Sequence, residues 1–308
     1  MATPQPPRVR FAVALSNQNI SWADYRAALL AADEMAFETF WSFDHLMPIG
    51  GDMEGSCHEC YTTLAAFAAM TRRIRIGALV SGAAYRNPAL QIKMATQVDV
   101  VSNGRFDFGI GAGWAEREFR AYDLPFASPK ERVGTLRETV ELAKRLWSGD
   151  PHKKVTYEGK YVRAYDLFLN PQPVQRPRPP ILIGGGGEQL TLRVVARHAD
   201  IWHGFGDLPT LQRKVELIDG YARGYRRDPH EITKASSVTI WVGDPPAAAP
   251  SGGRGGRPPI AGTPEQIEAR LREYVAAGIT YFIVGSMGGL NLDNWRRISE
   301  QVIPRFQD

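Results

Sequence analysis

Hydrophobic and polar positions along the chain follow two rhythms. Short continuous apolar runs, rich in Val, Ile, Leu and aromatic residues, fall at 9–15, 39–43, 74–80, 106–110, 181–183, 201–203, 237–242 and 281–284. After them come stretches in which apolar residues recur at helical spacing, at 22–36, 59–71, 89–102, 130–147, 189–198, 208–226, 264–277 and 292–302. The first rhythm suits strands buried on both faces of a parallel sheet, and the second suits helices covering that sheet with one apolar stripe. Eight such strands alternating with eight helices predict an α/β fold, a (β/α)8 TIM barrel. Boundary residues agree: Asn87-Pro88 and Thr263-Pro264 have the form of helix starts, and Gly278 that of a helix stop.

Three longer connections interrupt the alternation, near 47–58, 148–180 and 243–262. Within the second, "VTYEGKYVRAYD" predicts a small hairpin and "NPQPVQRPRPP" an extended, proline-rich lead-in to the next strand. The third, "GDPPAAAPSGGRGGRPPIAG", starts directly after the seventh apolar run and therefore belongs to the C-terminal face of the barrel. Its Gly, Pro and Ala content reads either as a lid over the site or as a surface insertion.

Composition narrows the class. With 308 residues and 44% hydrophobic content, the chain can bury the core of one barrel-sized domain or of two smaller ones. The alternation favours a single barrel domain over 1–308. The start "MATPQPPRVR" is polar and no apolar run reaches the length of a membrane span, so a cytoplasmic enzyme is the default expectation. The 37 basic and 33 acidic residues are interspersed. Nucleic acid is therefore not indicated, whereas the net charge of +4 suits an acidic small molecule. Both cysteines lie in "GSCHEC", as Cys57 and Cys60 around His58. A zinc site needs two further ligands at suitable spacing, and the context is not that of a thioredoxin-like motif, so the pair reads as two unlinked thiols and no metal is expected.

Candidate chemistry gathers at the ends of the predicted strands. In "PPILIGGGGEQLTLRVVARHAD", Gly184, Gly185, Gly186 and Gly187 separate a strand from a helix, an arrangement in which backbone N–H groups and the helix dipole favour a phosphate. Neither G-x-x-x-x-G-K-[ST] nor the dinucleotide-binding G-x-G-x-x-G pattern is present. The second strand ends "WSFDHLMP", bringing Asp44 and His45 to the mouth, and the third continues into "GALVSGAAYRNP". The fourth gives "FGIGAGWAEREF", with Gly111, Trp114, Glu116, Arg117 and Glu118, and "HADIWHGFG" adds His203. Barrel chemistry collects on this face.

Taken in order, "FWSFDHLMP", "RIRIGALVSGAAYRNPA", "VVSNGRFDFGIGAGWAEREFRAYDLPF", "YEGKYV", "LNPQPVQRPRPPILIGGGGE" and "TLRVVARHADIW" resemble the luciferase-like flavin and deazaflavin oxidoreductases, in particular the branch that uses coenzyme F420. The resemblance covers nearly the whole chain and implies a (β/α)8 barrel with insertions, commonly a homodimer. It implies that Asp44 and His45 are the catalytic pair facing the coenzyme ring. It also implies a coenzyme cradle of Leu79, Val80, Ser81, Gly111, Trp114, Gly184, Gly185, Gly186 and Gly187, with a non-prolyl cis peptide at Leu79-Val80 behind the ring and the last two glycines donating to the phosphate. Several relatives carry Glu at the position of Trp114; here the nearest acids are Glu116 and Glu118. The activity implied is F420-dependent hydride transfer to or from a small organic substrate. An FMN-dependent monooxygenase and a non-catalytic flavin-binding barrel are the alternatives, the latter disfavoured by the intact Asp-His pair and both glycine turns.

Overall fold

The computed structural model describes residues 8–245, 258–285 and 290–307. Its first half runs β1 (Arg10–Leu15), α1 (Trp22–Glu34), β2 (Thr39–Ser42), α2 (Cys60–Met70), β3 (Arg75–Ala78), β4 (Ser81–Gly82), α3 (Pro88–Val101), β5 (Phe106–Gly111), α4 (Glu116–Ala121) and α5 (Pro129–Leu146). A hairpin of β6 (Val155–Glu158) and β7 (Arg163–Leu167) follows. Then come β8 (Ile181–Gly184), α6 (Thr191–His198), β9 (Ile201–Gly204), α7 (Leu208–Gly224), β10 (Thr233–Val238), β11 (Ile240–Val242), β12 (Ile260–Gly262), α8 (Pro264–Ala276), β13 (Tyr281–Gly285) and α9 (Leu292–Arg297).

Eight of these strands close a parallel barrel in the order β1, β2, β3, β5, β8, β9, β10, β13. Closure is made by β13 against β1, from Arg10 opposite Tyr281 to Ala14 opposite Gly285, and β3 meets β5 through Ile76 and Phe106. The (β/α)8 architecture is the one the apolar rhythm predicts. Two cores result. Ala12, Ala14, Trp41, Leu182, Ile201, Ala235, Tyr281 and Ile283 cluster inside the ring. A larger layer, including Phe40, Ile76, Phe106 and Ile183, lies between the strands and the helices. Trp41 is the bulkiest interior side chain, and its indole N–H donates to the Tyr281 hydroxyl at 3.2 Å. Its neighbours are correspondingly small: a Cβ on Gly77 would lie 2.5 Å from the Trp41 ring, and one on Gly109 would meet the Ala78 carbonyl oxygen at 1.8 Å.

The seventh barrel strand differs from expectation. The apolar rhythm places it at 237–242, whereas the barrel uses Thr233–Val238, and Ile240–Val242 leaves the ring to pair with Ile260–Gly262. Polarity explains the displacement. In "TKASSV" only Ala235 and Val238 are apolar. Its polar groups are satisfied locally, Ser236 donating to the Gly204 carbonyl at 3.1 Å and Lys234 pairing with Asp219 at 2.9 Å. The 243–262 connection thus springs from β11, one step beyond the barrel, and its middle, 246–257, where the lid reading falls, lies outside the described residues. Helix α4, only six residues long, also has no counterpart among the predicted helices. The expected third strand stops at Ala78, where the chain passes through a cis Leu79-Val80 peptide into β4. Helices α3 and α8 begin as their sequences indicate, capped by Asn87 and Thr263 with proline in the first turn.

The crowding at Gly109 and the open space around Gly220 in α7 give opposite expectations for one substitution. Gly109→Ala drives a methyl into backbone that cannot swing aside and is expected to cost about 3 kcal/mol or to prevent folding. Gly220→Ala meets nothing within 4 Å and is expected to add roughly 0.5–1 kcal/mol. Chemical denaturation of the two variants checks both signs.

Candidate active site

The C-terminal ends of the strands surround one cavity of about 1290 Å³. Its floor is set by the bend between β3 and β4, which turns Val80 inward over the neighbouring strands. A Cβ on Gly111 would sit 2.7 Å from one Val80 methyl, and a Cβ on Gly184 2.8 Å from the other. Those two glycines exist for a packing reason: they let an aliphatic platform close the barrel's mouth. At the glycine quartet the backbone demand falls on Gly185, whose φ of +135° excludes ordinary side chains. Gly185 donates to the His203 carbonyl at 3.0 Å and accepts from the Trp202 indole at 2.8 Å, so β9 holds the turn in place. The end of the Lys214 side chain, reaching from α7, occupies the space where a Gly186 side chain would begin.

One wall of the mouth is the 47–58 connection, knitted to the end of β1. The His58 amide donates to the Asn17 carbonyl at 2.9 Å, Asn19 N–H to Ser56 at 2.8 Å, and Ile49 N–H to the Gln18 side-chain oxygen at 2.8 Å. Cys57 sits within this seam, its thiol donating to the His45 carbonyl at 3.1 Å. Burial, aided by the charges of Glu118 and Asp44, pushes that thiol up to about 12, and burial raises Cys60 as well. Both cysteines are unlinked. Among the described residues no cluster of three or more His, Cys, Asp or Glu side chains is placed to hold a metal ion.

His45 is oriented by a carboxylate that is distant in sequence. Glu118, on α4 and 1% exposed, receives His45 Nδ1 at 2.8 Å and the Tyr85 hydroxyl at 2.5 Å on one oxygen. Its other oxygen receives the amides of Leu46 at 2.6 Å and Met47 at 3.2 Å. Burial alone would raise this carboxyl; the hydrogen bonds from His45 and Tyr85, with the His45 charge and the Leu46 amide, outweigh it and hold Glu118 below the usual carboxylate range. An ionised Glu118 accepts only, so Nδ1 carries a proton and Nε2 is left as the ring's other polar atom on a residue that lines the cavity. The Trp114 ring, half exposed, stands edge-on to His45 at 5.8 Å between centroids.

Asp44 is spoken for. At 2% exposure it receives Arg86 through two nitrogens, at 2.7 and 3.0 Å, and the Ser81 hydroxyl at 2.5 Å. Arg86 also reaches Glu59, the cap of α2. Asp44 therefore anchors the β3–β4 bend to the end of β2 instead of presenting a free acid. Of the residues singled out in the sequence, Asp44, His45, Leu79, Val80, Gly111, Trp114, Gly184, Gly185, Gly186 and His203 all line the one cavity. Ser81 and Gly187 do not: Ser81 is buried between Asp44 and the Gln91 amide, which donates to it at 2.6 Å, and Gly187 is exposed, four positions before α6 begins at Thr191. Sequence reading missed three contributors, the pairing of Glu118 with His45, Tyr85 and Lys214. The only hint for Tyr85 was its place in "GAAYRNP", directly after a strand end.

A parallel eight-stranded barrel with its polar groups and glycine turns at the C-terminal mouth is the architecture of a TIM-barrel enzyme. Residues 8–252 match the family described as luciferase-like monooxygenase, and the chain belongs to that family. The F420-dependent hydroxymycolic acid dehydrogenase of Mycobacterium tuberculosis is 30% identical over 251 residues, 80% of this chain and 67% of that protein. The FMNH(2)-dependent dimethylsulfone monooxygenase of Pseudomonas putida is 28% identical over 188 residues, 60% of this chain and 50% of that protein. Several other relatives are likewise matched over about half their length. In fold, the chain resembles an F420-dependent secondary alcohol dehydrogenase solved with an F420-acetone adduct, with a TM-score of 0.84, 19% identity and coverage of 98% and 100% of the two chains. No helix among the described residues is long and apolar enough to cross a membrane.

Two outcomes follow from the electrostatics. Asp44→Ala strands Arg86 without its buried partner and is expected to cost about 3 kcal/mol of stability, read by thermal or chemical unfolding. Glu118, its folded pKa lowered, contributes stability that is fully present above the unfolded carboxyl value, about pH 4.3, and lost as pH falls through the lower folded value. Glu118→Gln is therefore expected to flatten that acid limb when stability is measured from pH 7 downward.

Proposed function

We propose that the chain is an F420-dependent oxidoreductase that moves a hydride between the deazaflavin and a small organic substrate, with His45 as the acid or base. The observation that carries this reading is the convergence, on one cavity, of a histidine locked by a buried carboxylate, an aliphatic platform and a glycine turn. The residues present fit such a coenzyme. Leu79 and Val80 offer a flat apolar backing for a ring. The turn around Gly186, bare of Cβ atoms and accompanied by the Lys214 side chain, offers backbone donors and a cation to a phosphate.

When bound, the deazaflavin supplies a two-electron hydride carrier at C5. The protein's own part is protonic and steric. In the oxidising direction His45 Nε2 takes the proton of a substrate hydroxyl; in the reducing direction it returns one. Glu118 keeps Nδ1 protonated throughout, fixing ring orientation and steadying the imidazolium. Asp44, through Arg86 and Ser81, holds the platform in register with that ring and is a positioning residue. Trp114 and, from the 47–58 wall, Ile49 line the space in which the substrate would sit.

The family also includes FMN-dependent members, so coenzyme choice is the first test. Titration is expected to show F420 bound in the micromolar range or tighter and FMN much more weakly; stoichiometric FMN with no measurable F420 affinity would overturn the reading. Gly186→Val, whose Cβ displaces only the flexible end of Lys214, is expected to fold normally and weaken F420 binding by roughly tenfold or more. His45→Ala is expected to slow hydride transfer by about 10²-fold while affecting coenzyme affinity less. Half-reactions with panels of alcohols, sugar phosphates, ketones, enones and imines supply the assay.

A further inference from the structure

Tyr85 is a buried phenol that the mechanism above leaves unused, and its surroundings are built around it. Its ring packs so closely on Gly82 that a Cβ there would lie 2.7 Å from the ring, and it tilts against Phe119 of α4 at 5.0 Å between centroids. Phe119 in turn leaves little room at Gly113, where a Cβ would meet its ring at 3.0 Å. The phenol is thereby held with 7% of its surface exposed, and its hydroxyl donates at 2.5 Å to the same Glu118 oxygen that receives His45 Nδ1. Two donors on one oxygen compete. Whatever negative charge Tyr85 draws off is not available to the imidazolium.

We propose that Tyr85 is a positioning residue that sets how strongly the His45–Glu118 pair holds a proton, keeping the histidine able to both accept and release one in turnover. The donor stabilises the carboxylate form of Glu118, so it weakens the pair's affinity for a proton; without it the carboxylate bears more charge and holds the imidazolium more tightly. The raised phenol pKa, caused by burial and then by Glu118, keeps Tyr85 in its donating form. The other charged and titratable groups around His45 are already engaged. Asp44 is bound by Arg86 and Ser81, and Glu59 by Arg86. The Cys57 thiol donates to the His45 carbonyl, and Arg117 reaches the carbonyls of Pro48 and Met53. Tyr85 is the side chain whose removal alters the charge on the shared oxygen and adds none.

The consequence for turnover rests on His45 being the acid or base proposed above, but the effect itself is read in protein free of coenzyme. Imidazole nitrogens of the protein's six histidines are followed by NMR through a pH titration, with His45→Asn assigning the signal. Tyr85→Phe is expected to raise the His45 midpoint by about one pH unit, because the pair loses a donor that favoured its deprotonated state. Glu118→Gln is expected to move the midpoint the other way, since the anion itself is gone. Circular dichroism and F420 titration accompany each variant. An unmoved or lowered midpoint in folded Tyr85→Phe protein overturns the proposal, as does a rise in Glu118→Gln. A raised midpoint in protein that fails to bind F420 leaves the tuning in place and removes only the coenzyme reading. Where an assay substrate is found, the limb of kcat/KM set by His45, the acid limb for oxidation and the alkaline limb for reduction, is expected to move up by the same interval in Tyr85→Phe, a displacement that mere loosening of the fold would not produce.

Discussion

The carboxylate of Glu118 is the constraint from which the rest of the site hangs. It is buried, and burial alone would neutralise it. Four donors prevent that: His45 and the amides of Leu46 and Met47 from the end of β2, and Tyr85 from the segment after β4. A single side chain on α4 thereby fastens together two strand ends that the barrel brings only near one another. The amides at 46 and 47 also fix where the 47–58 wall departs, so the shape of the cavity and the orientation of its histidine have a common origin.

A second buried ionic group, Asp44 with Arg86, acts beside the first without sharing its partners. It ties the bend at Leu79-Val80 to the same strand end that carries His45. The platform and the His45 ring are thus referenced to one point of backbone, the four residues Phe43 to Leu46. Side chains held in this way have little freedom to wander, which is what orientation-dependent chemistry requires.

The barrel was legible because seven of its eight strands are apolar runs, the state a strand buried on both faces demands. The seventh strand, β10, was misplaced because it satisfies Lys234 and Ser236 inside the fold, so burial there leaves no hydrophobic signature. At the site, the glycines and the Asp-His pair stood out from composition and resemblance, but their reasons did not. Gly111 and Gly184 answer to the methyl groups of Val80, and only Gly185 needs its backbone angle. The roles of Asp44 and Glu118 were the reverse of what adjacency suggests. The acid next to His45 in the chain serves an arginine, while the acid that serves the histidine lies 73 positions away and meets it only through the closed barrel.

The short ribbon of β11 and β12 has a consequence for how this scaffold can vary. Gly243 N–H donates to the Gly262 carbonyl at 2.8 Å, and Ile240 to Val242 pair in register with Ile260 to Gly262. The two ends of the connection are therefore stapled side by side before it reaches the cavity's edge, at Pro258 and Ile260. Once the ends of a connection are joined, doubling its length costs only about 0.6 kcal/mol of closure entropy. Changes of length between these ends are thermodynamically cheap, so the sequence joining them can vary while the staple keeps Ile260 at the cavity and the barrel keeps its register.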